Sequence, residues 1–406
     1  MTAASATGVF HVMAKPSGSA CNLQCDYCFF LKKENLYPGG NFRMSEVVRE
    51  AYIRQLLQYH RGPAVTVAWQ GGEPALMGLD FFRSSLELQP KYRKPGLRIE
   101  NTFQTNGVLL DVQWRRFFHQ NNFLVGLSLD GPGRLHDFYR RDKAGRSTFR
   151  RVVRAVGLLK NHRVEFNILC AVSSQNGHHP LEVYRFFRDE LGVRYIRFIP
   201  IVERANRTGY QEGGAVTDRS VGPDQFGRFL IEIFDEWVAR EVGSTFVLNF
   251  EASLAGWLNR PGAVCIFAPT CGLALALEHN GDLYSCDHFV EPAYLLGNIL
   301  ETPLIELLAS VGQQKFGRDK RDTLPRYCRE CDFLAVCNGE CPKNRFAEAP
   351  DAEKGLNYLC AGYKAFFLHA GPAMEIMARL IRGGKSADGV MRILPGRHPE
   401  LRNSER

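Results

Sequence analysis

Cys21, Cys25 and Cys28 fall within eight residues, spaced Cys-x3-Cys-x2-Cys, and the next cysteine is Cys170. Three thiolates can hold three corners of an Fe4S4 cube and leave one iron open to bind a ligand and pass it an electron. A cluster with four thiolates has no such position. Structural zinc normally takes four Cys or His ligands in recognisable pairs. The nearest fourth candidate, His11, falls in the strand before the loop, so the spacing favours a cluster. A second set follows much later: Cys265, Cys271, Cys286, Cys328, Cys331, Cys337, Cys341 and Cys360. These eight suffice for two further 4Fe-4S clusters with four protein ligands each. Zinc is the alternative between Cys328 and Cys341, because Cys-x2-Cys pairs are common zinc ligands. Cys170, in an apolar run, reads as a small buried hydrophobe.

The elements that must position these groups alternate between short β-rich runs and helical periods. Strands are expected over residues 9–14, 64–69, 97–104, 124–129, 164–172 and 195–201, with helical stretches between them. Ser45, Asp111 and Thr148 stand where helix N-caps belong. The alternation implies parallel βαβ units and an open, partial (β/α)6 barrel of α/β class. In such barrels chemistry collects at the C-terminal ends of the strands. The cysteine loop follows the first strand, and Gly71-Gly72-Glu73-Pro74 follows the second. Glycines let a backbone approach a ligand closely, and a carboxylate beside them can accept from a ligand ammonium. Taken alone, the run reads equally as a turn. The expected organisation is a barrel over 1–241, a bridge over 242–260, a cysteine-rich domain over 261–370, and a C-terminal helix and polar tail over 371–406.

Cys-x3-Cys-x-aromatic-Cys, with Tyr27 at the aromatic position, resembles the motif of radical S-adenosyl-L-methionine (SAM) enzymes. The flanking residues from Lys15 to Cys21, with Phe29, Phe30 and Glu34 to Pro38, resemble the anaerobic sulfatase-maturating enzymes in particular. The later cysteines resemble the SPASM domain of peptide-modifying radical SAM enzymes. The resemblance implies that Cys21, Cys25 and Cys28 hold the SAM cluster and that Gly71, Gly72 and Glu73 bind the methionyl amino group. It implies that Ser128 and Asp130 contact the ribose and methionyl parts, that Arg140 holds the SAM carboxylate, and that Ile199 supports the adenine. Gln104, in Gln-Thr-Asn-Gly, belongs to the pocket. Cys265, Cys271, Cys286 and Cys341 would hold the first auxiliary cluster, and Cys328, Cys331, Cys337 and Cys360 the second. Asp287 is implied as the general base for the substrate Cys or Ser. A carboxylate beside an anionic cluster is expected to have a raised pKa. One departure is Phe30, where many relatives carry Tyr.

The formal charge of +8 exceeds the surface charge, since ligating cysteines are thiolates. The basic run from Arg140 to Arg154 has neither interleaved aromatics nor a nucleic-acid motif, and reads as a solvated helix face. No apolar run approaches the ~20 residues of a membrane span, and no signal peptide is apparent, so a cytoplasmic protein is expected. Twelve cysteines there argue for metal or redox chemistry. The resulting expectation is a radical SAM oxidoreductase with three 4Fe-4S clusters that converts a Cys or Ser of a sulfatase segment to Cα-formylglycine. Its partners would be that sulfatase and a flavodoxin- or ferredoxin-type electron donor. The rivals are a SPASM maturase that crosslinks a ribosomal peptide, and a non-catalytic electron-transfer module. The latter has no need of a SAM cradle.

Overall fold

The structure, a computed structural model, describes residues 8–260 and 264–394. Six strands run in parallel sequence order: β1 (His11–Ala14), β2 (Ala64–Trp69), β3 (Arg98–Thr105), β4 (Phe123–Ser128), β5 (Phe166–Val172) and β6 (Tyr195–Pro200). Each expected strand is present, with ends shifted by a residue or two. A two-residue strand β7 (Phe246–Val247) adds beside β6, inside the segment expected to be a bridge.

Helices α1 (Glu46–Tyr59), α2 (Leu79–Tyr92), α3 (Val112–Gln120), α4 (Gly133–Tyr139), α5 (Phe149–Asn161) and α6 (Pro180–Arg185) occupy the crossovers. Parallel strands covered by helices need apolar side chains on the covered face. Here Tyr52, Trp69, Phe82, Phe103 and Phe118 form an edge-to-face ladder between sheet and helices, with centroids 5.0–5.6 Å apart. Ser45 caps α1 by accepting from Val48 N at 3.3 Å, and Asp111 caps α3 through Gln113 N and Trp114 N. Thr148 makes no such cap. Its hydroxyl donates to the Arg140 carbonyl at 2.8 Å, and the Asp137 carboxylate takes the Thr148 and Phe149 amides instead.

The cysteine-rich segment is not a detached body. Its strands β8 (Ala274–Leu277), β9 (Asp282–Tyr284) and β10 (Leu295–Asn298) extend the same sheet in the order β10-β9-β8-β1-β2-β3-β4-β5-β6-β7. β8 pairs in parallel with β1 along its whole length, from His11↔Ala274 to Ala14↔Leu277. On the far side, α7 (Pro223–Arg240) and α8 (Leu248–Trp257) pack against α9 (Cys360–Arg382). Gly227 and Gly362 permit the close approach of α7 and α9: a Cβ on Gly362 would lie 2.1 Å from Pro223 O. The boundary expected at 370 falls inside α9. The polar tail beyond 394 lies outside the described residues, as do residues 261–263 at the start of the expected cysteine-rich domain. Among the described residues no helix is long and apolar enough to cross a membrane.

Candidate active site

The backbone alone fixes the cysteine loop. Where the chain leaves β1, Lys15 N donates to Leu277 O of β8 at 2.8 Å. Gly72 N then donates to Gly18 O at 2.8 Å, and Glu73 N to Ala20 O at 2.9 Å. A Cβ on Gly72 would stand 2.0 Å from Ala20 O, and Gly71 has φ +131°. Gly71 and Gly72 thus let the chain's own cysteine loop approach, rather than opening space for a ligand.

Glu73 is fully buried. Its carboxylate accepts from Ala75 N at 3.0 Å, the Thr105 hydroxyl at 2.8 Å and Asn106 N at 2.8 Å. Two carboxylate oxygens offer about four acceptor sites, so one remains for an outside donor. Burial pushes its pKa up to about 7, against the pull of those donors. Asn106 also reaches Asn22 Oδ1 at 2.8 Å and Cys21 Sγ at 3.7 Å, a contact that Gln-Thr-Asn-Gly hinted at without specifying.

At the ends of β3 and β4, Gln104 Nε2 donates to Ser128 Oγ at 3.1 Å. Gly126 makes room: a Cβ there would lie 2.1 Å from Gln104 Oε1. Asp130, expected to face the cofactor, is engaged within the chain. It accepts from the Tyr27 hydroxyl, from Arg140 Nε at 2.8 Å and from Ala171 N at 3.0 Å. With 3 % exposure it serves to orient Tyr27 and Arg140. The Arg140 Nη groups make no hydrogen bond among the described residues and remain able to hold a carboxylate.

Burial pushes the Cys21 and Cys25 thiols up to about 12, and raises Cys28 as well. Thiols so placed stay protonated unless a cation compensates them, as a cluster's irons would. The later cysteines form two electrostatic neighbourhoods. Cys286 feels Cys341 and Cys265, Cys341 feels Cys271, and Cys271 feels Cys265. Cys337 feels Cys360 and Cys328, and Cys360 feels Cys328 and Cys331. All twelve cysteines are free. Among the described residues no three His, Cys, Asp or Glu are gathered closely enough for one metal ion, so these neighbourhoods are wider than a zinc site. The donor set fits iron–sulfur clusters. Cys170 lies apart and is fully buried, with Asn176 Nδ2 3.8 Å from its sulfur.

Asp287 differs from expectation. Its carboxylate is paired with the buried ammonium of Lys15, and Gln70 Nε2 donates to it at 3.4 Å. Burial pushes the Asp287 pKa up, but the Lys15 charge, helped by His288, outweighs burial and holds it below the ordinary carboxylate value. The expected rise assumed a like-charge neighbour and overlooked a lysine 272 residues away in sequence. Lys15 Nζ also sits over the Phe30 ring, 4.8 Å from its centroid. At this position, where many relatives carry a tyrosine hydroxyl, the chain offers a ring face to a cation. Beyond Asp287, a cavity of about 40 Å³ is lined by Arg197, Ile199, His288, Cys341 and Lys343. Ile199 therefore opens toward the cysteine-rich segment as well as the barrel. Burial and the Lys343 charge hold the His288 pKa down to about 3.

An open parallel barrel that presents three cysteines after its first strand, with a second cysteine-rich segment on the same sheet, defines a radical SAM protein with an iron–sulfur extension. Residues 16–187 match the Radical SAM superfamily, and residues 265–332 match SPASM, an iron–sulfur cluster-binding domain. The serine-type anaerobic sulfatase-maturating enzyme of Bacteroides thetaiotaomicron is 44% identical over 396 residues, covering 95% of each chain. The cysteine-type enzyme of Clostridium perfringens is 34% identical over 377 residues, covering 91% of this chain and 99% of the other. The solved structure of anSMEcpe with bound AdoMet and Cp18Cys peptide superposes with a TM-score of 0.82 at 34% identity, over 91% of this chain and 99% of that one. SuiB of Streptococcus suis, at 16% identity and TM-score 0.57, shares the fold. The chain belongs to the anaerobic sulfatase-maturating enzymes.

Proposed function

We propose that the chain oxidises a Cys or Ser of a sulfatase segment to Cα-formylglycine, with Asp287 as the base that takes the thiol or hydroxyl proton. A 4Fe-4S cluster on Cys21, Cys25 and Cys28 would supply the electron that splits SAM into methionine and a 5′-deoxyadenosyl radical. Glu73 offers its remaining lone pair to the SAM ammonium, and Arg140 offers its Nη groups to the carboxylate. Gln104 and Ser128 present polar atoms at the neighbouring strand ends. The radical takes a hydrogen from the target Cβ, and Asp287 accepts the proton from sulfur or oxygen. The remaining electron leaves toward the cysteines beside Asp287. Two auxiliary clusters there would bring the total to about twelve irons per chain.

The observation that carries this reading is the placement of Asp287. It adjoins Cys286 of one neighbourhood and is held by Lys15 at the root of the SAM-cluster loop. A carboxylate kept ionised at that junction can act as a base as soon as a substrate displaces or shares its lysine. The test incubates anaerobically reconstituted protein with SAM, dithionite and an 18-residue-class peptide containing Cys or Ser in turn. The expected result is the aldehyde mass with one 5′-deoxyadenosine per product. A crosslinked or unchanged peptide overturns the reading.

A further inference from the structure

The basic run from Arg140 to Arg154 is not a single helix face. Its first half forms a tight hairpin, closed by a bridge between Arg141 and Ser147, and α5 begins only at Phe149. The hairpin lies against the cysteine loop. Leu23 bridges to Asp142, Gln24 N donates to Arg141 O at 2.9 Å, and Asp26 N donates to Tyr139 O at 3.2 Å. The last two bonds bracket Cys25, so the hairpin forms the outer wall of that ligand.

This face is exposed and positive. Arg141, Lys143, Arg146 and Arg150 all reach solvent, and Phe138 beside them is 45 % exposed. The acidic groups nearby neutralise little of this. Asp142 is buried and bound by Arg146 at 2.9 Å and Arg151 at 3.1 Å. Asp137 is engaged by Ser147 and by two amides, leaving Asp26 as the exposed carboxylate. Lys143 and Arg150 make no ion pair among the described residues. An apolar side chain rimmed by cations beside a redox ligand suits brief docking of a protein with an acidic surface.

We propose that the hairpin of residues 139–147, with Phe138 and the first turn of α5, docks an acidic one-electron carrier protein. The inference rests on the reading of Cys21, Cys25 and Cys28 as cluster ligands. One electron passes from the carrier's reduced flavin or iron–sulfur group to the cluster. The carrier is oxidised by one electron, the cluster is reduced by one, and no covalent bond changes. The positive face speeds encounter with an acidic partner and loses that effect as salt screens it.

The test uses the reconstituted holoenzyme with SAM and no peptide, and reads 5′-deoxyadenosine. Its outcome is therefore independent of formylglycine formation. Reduced flavodoxin is compared with dithionite as the donor. In Lys143→Glu/Arg146→Gln the flavodoxin-driven rate should fall about tenfold at low salt, and its salt dependence should flatten. The dithionite-driven rate should stay within about twofold, since a small donor needs no docking face. An unchanged flavodoxin-driven rate overturns the proposal. So does an equal fall with both donors, which would assign these residues to the site itself. Should the hairpin variant lose iron, Arg150→Glu/Arg154→Glu on α5 carries the same discrimination without touching the cysteine loop.

Discussion

Lys15→Met tests whether the buried ion pair sets the working state of Asp287. Both partners are withdrawn from water: the side chains are 1% and 11% exposed. Removing one member of such a pair typically costs about 3–5 kcal/mol, because an uncompensated charge stays behind. Part of that cost is escaped by protonating Asp287, since burial alone drives its pKa upward. Two pKa units correspond to about 2.7 kcal/mol. In the parent the folded pKa is depressed. The pair's contribution is therefore present above the ordinary carboxylate value of 3.8 and lost as pH falls through the lower, folded value. Product formation should then show no acidic limb from Asp287 near neutral pH. In Lys15→Met an acidic limb should appear, with aldehyde formation falling as pH drops through the raised pKa. Cleavage of SAM without peptide oxidation should persist. Thermal unfolding and the ratio of 5′-deoxyadenosine to aldehyde, measured across pH, provide the assay. Lys15→Met/Asp287→Asn should recover stability relative to Lys15→Met, because no charge is left unpaired. Equal unfolding temperature and an unchanged pH profile in Lys15→Met would refute the reasoning.

Gly72→Ala should lose the SAM cluster: its Cβ would meet Ala20 O at 2.0 Å, a backbone clash costing at least about 1–3 kcal/mol at the root of the loop. Iron content and 5′-deoxyadenosine yield check this. Cys25→Ala should abolish SAM cleavage, while Cys170→Ala should keep its iron and lose only about 1 kcal/mol in unfolding. Glu73 has a folded pKa raised from 4.5 to about 7, so its contribution to stability is present below the former and lost as pH rises through the latter. A bound ammonium offsets that loss. Thermal protection of the holoenzyme by SAM should therefore grow between about pH 5 and 8, and Glu73→Gln should flatten the trend.

Much of this was legible in the sequence because it is local. The alternation of β-rich and helical periods placed all six barrel strands, since parallel strands carry their burial in their composition. Ser45 and Asp111 capped as their side chains dictate, and the three cysteines declared their purpose through spacing. The long-range partners were not legible. Lys15 stands in the cysteine motif with no sign that it meets Asp287, and a lone lysine after a strand is usually solvated. Thr148 has the chemistry of a cap, but its hydroxyl found the Arg140 carbonyl and left the amides to Asp137. Asp130 looked like a ligand contact because it ends a strand. Only the fold shows Tyr27, Arg140 and Ala171 converging on it. The cysteine-rich segment reads as a separate domain because its composition changes, and composition carries no information about edge pairing.

The seam between β1 and β8 has a practical consequence for dissecting the protein. A fragment ending before β8 would leave the whole of β1 as a bare edge, with unpaired amides and carbonyls flanked by apolar Val12 and Ala14. Such an edge invites pairing with another chain and aggregation. It would also free Lys15 from Leu277 and from Asp287, so the SAM-cluster loop would lose its anchor together with its auxiliary neighbour. The barrel cannot be prepared as a minimal SAM-cleaving module, nor can the cysteine-rich half be exchanged between relatives at a linker, because the join is a hydrogen-bonded strand pair rather than a hinge. Chimeras that respect the molecule would have to move β1 and β8 together.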